Sequence, residues 1–261
     1  MLLNHDGTEV DLMDTWEWIP LSLAAESGSK DVVQLLVPHD VQVDLKDING
    51  QTPLLLTEKS TSLDPVQLLH TCDDVKVSSP DKDGWTPVSF VTQWRSKDVV
   101  QLLPAHDDTK VNSMDKDGQT PLSFAVARCS WQEGSKEYVE LLLRCDDVQV
   151  DSAEENGWTP LSFAVEPGSK DVVQLLLTHH NVEVNSTDKD GQTPVSFAAK
   201  WGSRDVVQLL LADDDVEVNS MDIYGWTTLS FIAERSSWQE GSLICSRIRV
   251  QRCCETPTSR R

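Results

Sequence analysis

The chain has 261 residues, which is long enough for one or two compact domains or for one extended array of repeats. Its 43 acidic and 22 basic residues give a net charge of −21, which disfavours nucleic acid and anionic membranes as partners and favours a protein with a basic surface. The chain contains no run of about 18 apolar residues and opens on no signal peptide, so we expect no membrane span and a cytoplasmic, or else nuclear, location. Six Cys without a CxxC pair are expected to stay reduced there.

The first helix of each predicted copy opens on a recurring proline, with threonine taking the last position. These residues are Pro20, Pro53, Pro87, Pro121, Pro160, Pro194 and Thr228. The intervals between them are 33, 34, 34, 39, 34 and 34 residues. Self-similarity at such a period predicts a repeat array in which each copy stacks on the next.

The copy at 188–221 shows the local logic most clearly. An Asp-Lys-Asp-Gly turn precedes Thr193, whose hydroxyl can cap a helix that begins at Pro194. Gly202 interrupts this helix, and a second helix follows with Asp205 in its first turn and a Val-Val-Gln-Leu-Leu apolar face. Such a module cannot bury its apolar face alone, so neighbouring copies must cover it.

The copies set the expected domain organisation. We predict the tail of a preceding partial repeat at 1–13, a repeat array at 14–242 and a disordered basic tail at 243–261, which holds five Arg and one Glu. An error in the gene model would produce the same C-terminal sequence. The repeats are expected at about 14–46, 47–80, 81–114, 115–153, 154–187 and 188–221, with a partial one at 222–242. The fourth carries five extra residues between its helices, within Arg128–Ser135.

The motif G-x-T-P-L, followed by small residues and then V-V-x-L-L, is similar to that of the ankyrin-repeat family over residues 2 to 242. The family's usual His two places after Pro is replaced by Ser, as at Ser89, Ser123, Ser162 and Ser196. The long acidic segments after the second helices resemble the ankyrin arrays of large fungal proteins. The resemblance implies an all-α solenoid of stacked antiparallel helix pairs, with projecting turns or β-hairpins and a concave face that binds proteins.

Tryptophan and aspartate near the turns are the candidate binding residues. In proteins of this resemblance, the position after the finger turn faces the concave side and varies with the partner, and tryptophan is the most frequent interface hot spot. The alternative is that each indole lies across the neighbouring finger and stabilises the stack. The predicted protein-binding residues are Trp85, Trp94, Trp158, Trp201, Trp226, Asp81, Asp83, Asp117, Asp188 and Asp190.

Metal-binding and catalytic patterns receive little support. Cys72, His106, Cys145, His179 and Asp213 share one repeat position, but stacked helices lie about 8–10 Å apart, too far for one zinc ion. We expect a helix C-terminal position there, where His and Asp tolerate left-handed geometry. The Asp-x-Asp-Gly turns share part of a calcium loop but have Ser and Phe where its ends need acids. No catalytic motif occurs, so we predict no enzyme, no cofactor and no metal site.

The sequence therefore predicts a non-catalytic protein-interaction scaffold, monomeric, that binds its partner on the concave face and the acidic finger turns. Two alternatives stay open. One is an acidic protein that binds calcium or another metal weakly, for which calcium titration by calorimetry is the test. The other is a degenerate fragment of a larger, receptor-like multidomain protein.

Overall fold

The computed structural model describes residues 9–39, 41–57, 60, 63–72, 75–94, 110–129, 136–165 and 169–234. The described residues form short α-helices joined by turns, with one 3₁₀ turn at Val37–His39 and no strand among them. The helices are α1 Pro20–Glu26, α2 Lys30–Leu36, α3 Pro53–Thr57, α4 Leu63–His70, α5 Pro87–Trp94, α6 Pro121–Cys129, α7 Lys136–Leu142, α8 Pro160–Ala164, α9 Lys170–Leu177, α10 Pro194–Trp201, α11 Arg204–Leu210 and α12 Thr228–Glu234.

The first helix of a copy begins where the Thr-Pro pair predicts. Thr193 precedes α10 in an extended conformation, and its side chain accepts the amide hydrogen of Ser196 while Pro194 fills the first turn. Thr159 caps α8 in the same way. α10 ends at Gly202, which has a φ of 77° and satisfies two carbonyls of the last turn. The predicted start and interruption of the helix in this copy are thus confirmed.

The second helices bury the valine and leucine face predicted for them. In α9, Val172, Val173 and Leu176 are buried, and Asp171 lies in the first turn, where the helix dipole favours a negative charge. Pro65 lies in the first turn of α4, where a missing amide costs no helical hydrogen bond. The prediction of paired helices with one apolar face each is confirmed for the described copies.

The chain divides into two compact units, one of residues 1–125 with 137–148 and the other of residues 126–136 with 149–261. In the first unit, α1 packs on α2 and α3, α2 packs on α4, and α3 packs on α4 and α5. In the second unit, α8 packs on α9 and α10, α9 packs on α11, and α10 packs on α11 and α12. Within each unit, first helices therefore pack on first helices and second helices on second helices, which confirms the stacked all-α repeat.

Some sequence predictions fall outside the described residues. These are the preceding partial repeat up to residue 8, the second helix of the third copy, most of the inserted segment of the fourth copy, and the chain from 235 onward. The projecting elements are turns in the copies that the structure describes, so of the two forms expected from the resemblance, the turn is the one observed.

Candidate functional site

A five-residue turn, called here the finger, precedes the first helix of each copy. In every finger, one carboxylate oxygen of the first residue accepts two backbone amides, those of the third and fifth residues. In the finger 81–85, Asp81 Oδ1 accepts the amides of Asp83 and Trp85, each at 2.9 Å. The Asp81 amide donates to the Trp85 carbonyl at 2.9 Å and closes the turn. The same carboxylate pattern recurs in the fingers 14–18, 47–51, 115–119, 154–158, 188–192 and 222–226.

Within each unit, successive fingers are joined by a backbone hydrogen bond. The second residue of one finger donates its amide to the carbonyl of the third residue of the finger before it. Lys116 donates to Asp83 at 2.8 Å, and Ile223 donates to Asp190 at 2.8 Å. The bond from Ile48 to Trp16 is longer, at 3.2 Å, in the pair of fingers whose first member has a glutamate instead of glycine.

The glycine at the fourth finger position is required for two reasons. Gly84 has a φ of 85°, a left-handed conformation that costs other residues about 1–2 kcal/mol. A Cβ at Gly84 would also lie 2.8 Å from the Cα of Asp115 in the next finger. In the finger 14–18 this place belongs to Glu17, which has a φ of 60° and is the one non-glycine residue with positive φ among those described.

Two tryptophans are held between phenylalanine rings of successive copies. The Trp85 ring lies 5.2 Å from Phe90 of its own copy and 4.6 Å from Phe124 of the next. The Trp158 ring lies 5.2 Å from Phe163 and 4.6 Å from Phe197. Aromatic pairs at these distances contribute about 0.5–1.5 kcal/mol beyond the area they bury. The arrangement matches the structural alternative raised for these indoles, which lie across the neighbouring copy and leave part of their surface free.

The other candidate aromatics differ from these two. Trp201 is 46% exposed at the end of α10. Trp226 is 36% exposed and contacts only Phe231 of its own copy, at 5.2 Å, among the described rings. Between Phe197 and Phe231, where a tryptophan would lie in other copies, Lys200 Nζ lies 5.6 and 6.0 Å from the two ring centroids. Trp94 ends α5, and its side chain lies outside the described part of the chain.

The finger acids have two different environments. Asp81 and Asp188 are half-buried because they accept the amides of their own turns. Burial raises the pKa of the Asp188 carboxyl above its ordinary value, although the amide hydrogen bonds from Gln192 and Asp190 oppose this shift. The third-position acids Asp83, Asp117 and Asp190 are exposed at the finger tips. Asp83 pairs with Lys116 at 3.1 Å, and this hydrogen bond raises the pKa of Lys116.

A second line of contacts between copies was not predicted from the sequence. A polar side chain after the second helix accepts a backbone amide of the next copy. Asn185 Oδ1 accepts from Glu217 at 2.8 Å, and its amide group donates to the Asp215 carbonyl at 2.7 Å. Asp151 accepts from Glu183 at 3.0 Å. The signal was a recurring Asp, Ser or Asn after Val-x-Val, as at Asp44, Ser78, Asp151 and Asn185.

The comparisons with known proteins agree with this geometry. The family model described as ankyrin repeats (3 copies) matches residues 1–78, 57–152 and 128–222. The chain belongs to the ankyrin-repeat family. A crystal structure of the ankyrin repeat domain of Bcl-3, described as a unique member of the IkappaB protein family, is 25% identical, with a TM-score of 0.72 over 89% of this chain and 98% of that one. No curated protein sequence matches the chain.

Ankyrin repeats are typically non-catalytic modules that bind proteins, and this array is a protein-interaction scaffold. Its recurring serines have a structural role that fits this class. Ser123 and Ser162 are buried, and each hydroxyl lies within hydrogen-bond distance of the capping threonine of its helix, at 3.1 and 3.2 Å. The serine column of these ankyrin copies therefore supports the helix start.

The column of metal-type side chains closes the second helices. The amides of Cys145 and His179 bond back to Leu142 and Leu176, at 3.1 and 2.9 Å. The expected helix C-terminal position is confirmed, and the described residues of this column do not adopt the left-handed backbone that His and Asp tolerate there, since Glu17 alone among the described non-glycine residues has a positive φ. His106 lies outside the described residues.

In the described ankyrin copies, no three His, Cys, Asp or Glu side chains converge as metal ligands would. None of the helices described is both long and apolar enough to cross a bilayer.

Proposed function

We propose that this ankyrin array captures a protein partner with a basic surface through its finger tips and its exposed tryptophans. The observation that carries the proposal is the repeated exposed carboxylate at the third finger position, in a chain with a net charge of −21. Clustered charge of one sign speeds encounter with an oppositely charged partner and selects against others. The partner is a protein rather than nucleic acid, and the scaffold acts as a monomer in the cytoplasm or nucleus.

In this proposal, the first acid of a finger stabilises the turn and the third acid contacts the partner. The first acid, as at Asp81 and Asp188, holds the turn by accepting amides, so it presents the finger at a fixed angle. The third acid, as at Asp83, Asp117 and Asp190, is exposed and does not accept the amides of the turn. It therefore contacts the partner. A rigid turn that presents one carboxylate loses little conformational entropy on binding.

The tryptophans of the proposed surface also have two roles, one for the exposed rings and one for the rings held by phenylalanine. Trp201 and Trp226 have the exposed area that a hot spot needs, because an anchor must gain burial when the partner binds. Trp85 and Trp158 are held by phenylalanine rings. The part of each indole that remains accessible is a rigid contact surface for the partner. Trp94 completes the proposed set at the end of α5. The concave face that joins these positions is part of the proposal.

The test is a selection from a random peptide display library on the full chain. We expect the selected peptides to be rich in Arg and Lys. The variant Asp83→Asn, Asp117→Asn, Asp190→Asn should then weaken binding of a selected peptide about tenfold, because each exposed ion pair contributes roughly 0.2–1 kcal/mol. Fluorescence anisotropy with the labelled peptide measures the dissociation constant.

The matched control changes the same amount of charge elsewhere. Asp146, Glu183 and Asp214 are exposed residues after second helices, so Asp146→Asn, Glu183→Gln, Asp214→Asn removes three negative charges without touching a finger. This control should change the dissociation constant less than twofold to threefold, or roughly 0.5 kcal/mol, through screened long-range charge alone. Peptides without basic residues, or equal losses in both variants, would refute the proposed contact surface.

A further inference from the structure

The last described copy exposes a face that is buried in the copies before it. Leu229 is 40% exposed, whereas the residues at the same repeat position in other copies are 0–2% exposed. Those residues are Leu21, Leu54, Val88, Leu122, Leu161 and Val195. Within the described chain, a Cβ at Gly225 would also meet no atom within 4 Å, although other finger glycines lie against the next finger. The surface at the start of α12 is therefore an apolar face without a described neighbour.

The finger that borders this face is also unusually apolar. Its second and third residues are Ile223 and Tyr224, 62% and 73% exposed, where the finger before it has Lys189 and Asp190. Trp226 contacts Phe231 on one side and, among the described rings, has no second ring of the kind that holds Trp158. Ile223, Tyr224, Trp226 and Leu229 together form what we call the terminal face.

Charge indicates what the terminal face binds. Residues 188–234 contain nine acidic and three basic residues, for a net charge of −6. Residues 243–261 contain five Arg and one Glu, for a net charge of +4, with Ile248 and Val250 alternating with Arg247 and Arg249. Arginine side chains stack on tryptophan faces, and isoleucine and valine cover apolar area, so this segment complements the terminal face in both respects.

The connection between the two is long enough. α12 has seven residues and is about 10 Å long, at 1.5 Å per residue. The eight residues from 235 to 242 span up to about 26–29 Å when extended. Residue 243 can therefore return from the end of α12 to its start with length to spare.

We infer that residues 243–261 bind the terminal face of the same chain, with arginine on Trp226 and apolar side chains on Leu229 and Ile223. This contact covers the apolar face that the last described copy leaves exposed. The contact also places the basic residues of this segment next to acidic fingers. The segment therefore competes with a basic partner for the fingers nearest to the terminal face. The inference stands on the exposed face and the charges, and it does not require that a partner exist.

Hydrogen exchange of the full chain tests the contact, read on peptides that cover residues 221–234. In the triple variant Arg247→Glu, Arg249→Glu, Arg252→Glu, we expect exchange in this region to quicken roughly three- to tenfold, because the covering segment is repelled. About 1 M NaCl should have part of the same effect on the native chain, since the Debye length falls to about 3 Å. Adding the synthetic peptide 243–261 at about 1 mM, near the effective concentration of a short linker, should restore slow exchange in the variant.

A matched pair of tryptophan variants locates the contact. Trp226→Ala should quicken exchange in 228–234 as the charge reversal does, and combining the two should add little further. Trp16→Ala, at a 63% exposed tryptophan in the first finger, should leave that region unchanged. Unchanged exchange in the charge-reversed chain overturns the inference. Protection that weakens on dilution from about 100 to 1 µM also overturns it and assigns the terminal face to a second copy. Neither result bears on peptide selection, which tests the proposed function separately.

Discussion

The fingers 154–158 and 222–226 have the same turn but different surroundings. In both, the first acid accepts the amides of the third and fifth residues, and both have a glycine with a φ near +80°. A Cβ at Gly157 would lie 2.9 Å from the Cα of Asp188, whereas one at Gly225 would meet no described atom within 4 Å. The turn is thus encoded within five residues, while the stacking of copies adds a separate demand for glycine.

Substitutions at Gly157 and Gly225 measure the energetic cost of the turn separately from the cost of stacking on the next finger. Gly157→Ala should lower the free energy of unfolding by about 2–5 kcal/mol, the sum of left-handed strain and overpacking against the next finger. Gly225→Ala should cost about 1–2 kcal/mol, because it carries the strain alone. Urea denaturation followed by circular dichroism measures both. Equal losses would show that the close approach of the next finger contributes nothing.

Replacing the recurring serine should change the free energy of unfolding by a smaller amount, and in different directions at Ser162 and Ser22. Ser162 pairs with Thr159 at 3.2 Å, so Ser162→Ala should cost about 1 kcal/mol. Ser22 is equally buried, but Ile19 replaces its capping threonine and its hydroxyl has no hydrogen-bond partner in the described structure. Ser22→Ala should therefore be neutral or stabilise the fold by up to about 1 kcal/mol. Thermal unfolding compares the two, and a loss at Ser22 as large as that at Ser162 would contradict the assignment.

The smallest effect is a dependence on pH. Burial raises the pKa of Asp188 in the folded chain above 3.8, so below that value the carboxyl is neutral in both states. As the pH rises through the folded pKa, ionisation disfavours the folded state. Asp188→Asn keeps an oxygen that can accept the finger amides and removes this ionisation.

The stability of Asp188→Asn relative to the native chain should therefore increase from about pH 3 to about pH 6. Asp190→Asn removes one charge from the exposed tip of the same finger and serves as the control. Urea midpoints at each pH supply the measurement. A relative stability of Asp188→Asn that stays level, or falls, as the pH rises would exclude a desolvated carboxylate at this position.

Features set within a few residues were predictable from the sequence. The Thr193-Pro194 start of α10, its end at Gly202 and the finger turn before it all depend on local backbone preferences, and the structure has each of them. The period of 33–34 residues then predicted stacking, because every copy repeats the same uncovered apolar face. The family match extends this prediction over residues 1–222.

Features that depend on distances between copies were not predictable in the same way. The sequence left the role of Trp158 open, and only the 4.6 Å approach of Phe197 shows that the indole is braced by the next copy. The bond of Asn185 to the Glu217 amide likewise joins residues 32 apart. The backbone conformation after the second helices could not be predicted either, because side-chain type permits left-handed geometry there but does not require it.

The hydrogen bond between successive fingers has a consequence for how such a chain changes over generations. Within each unit, a finger offers one carbonyl to the finger after it and one amide to the finger before it, at the same two positions. A segment of one period that is duplicated or deleted in frame therefore brings or removes a matched donor and acceptor together. Within a unit, the number of copies can therefore change by recombination while the hydrogen bond between fingers is kept at each new junction.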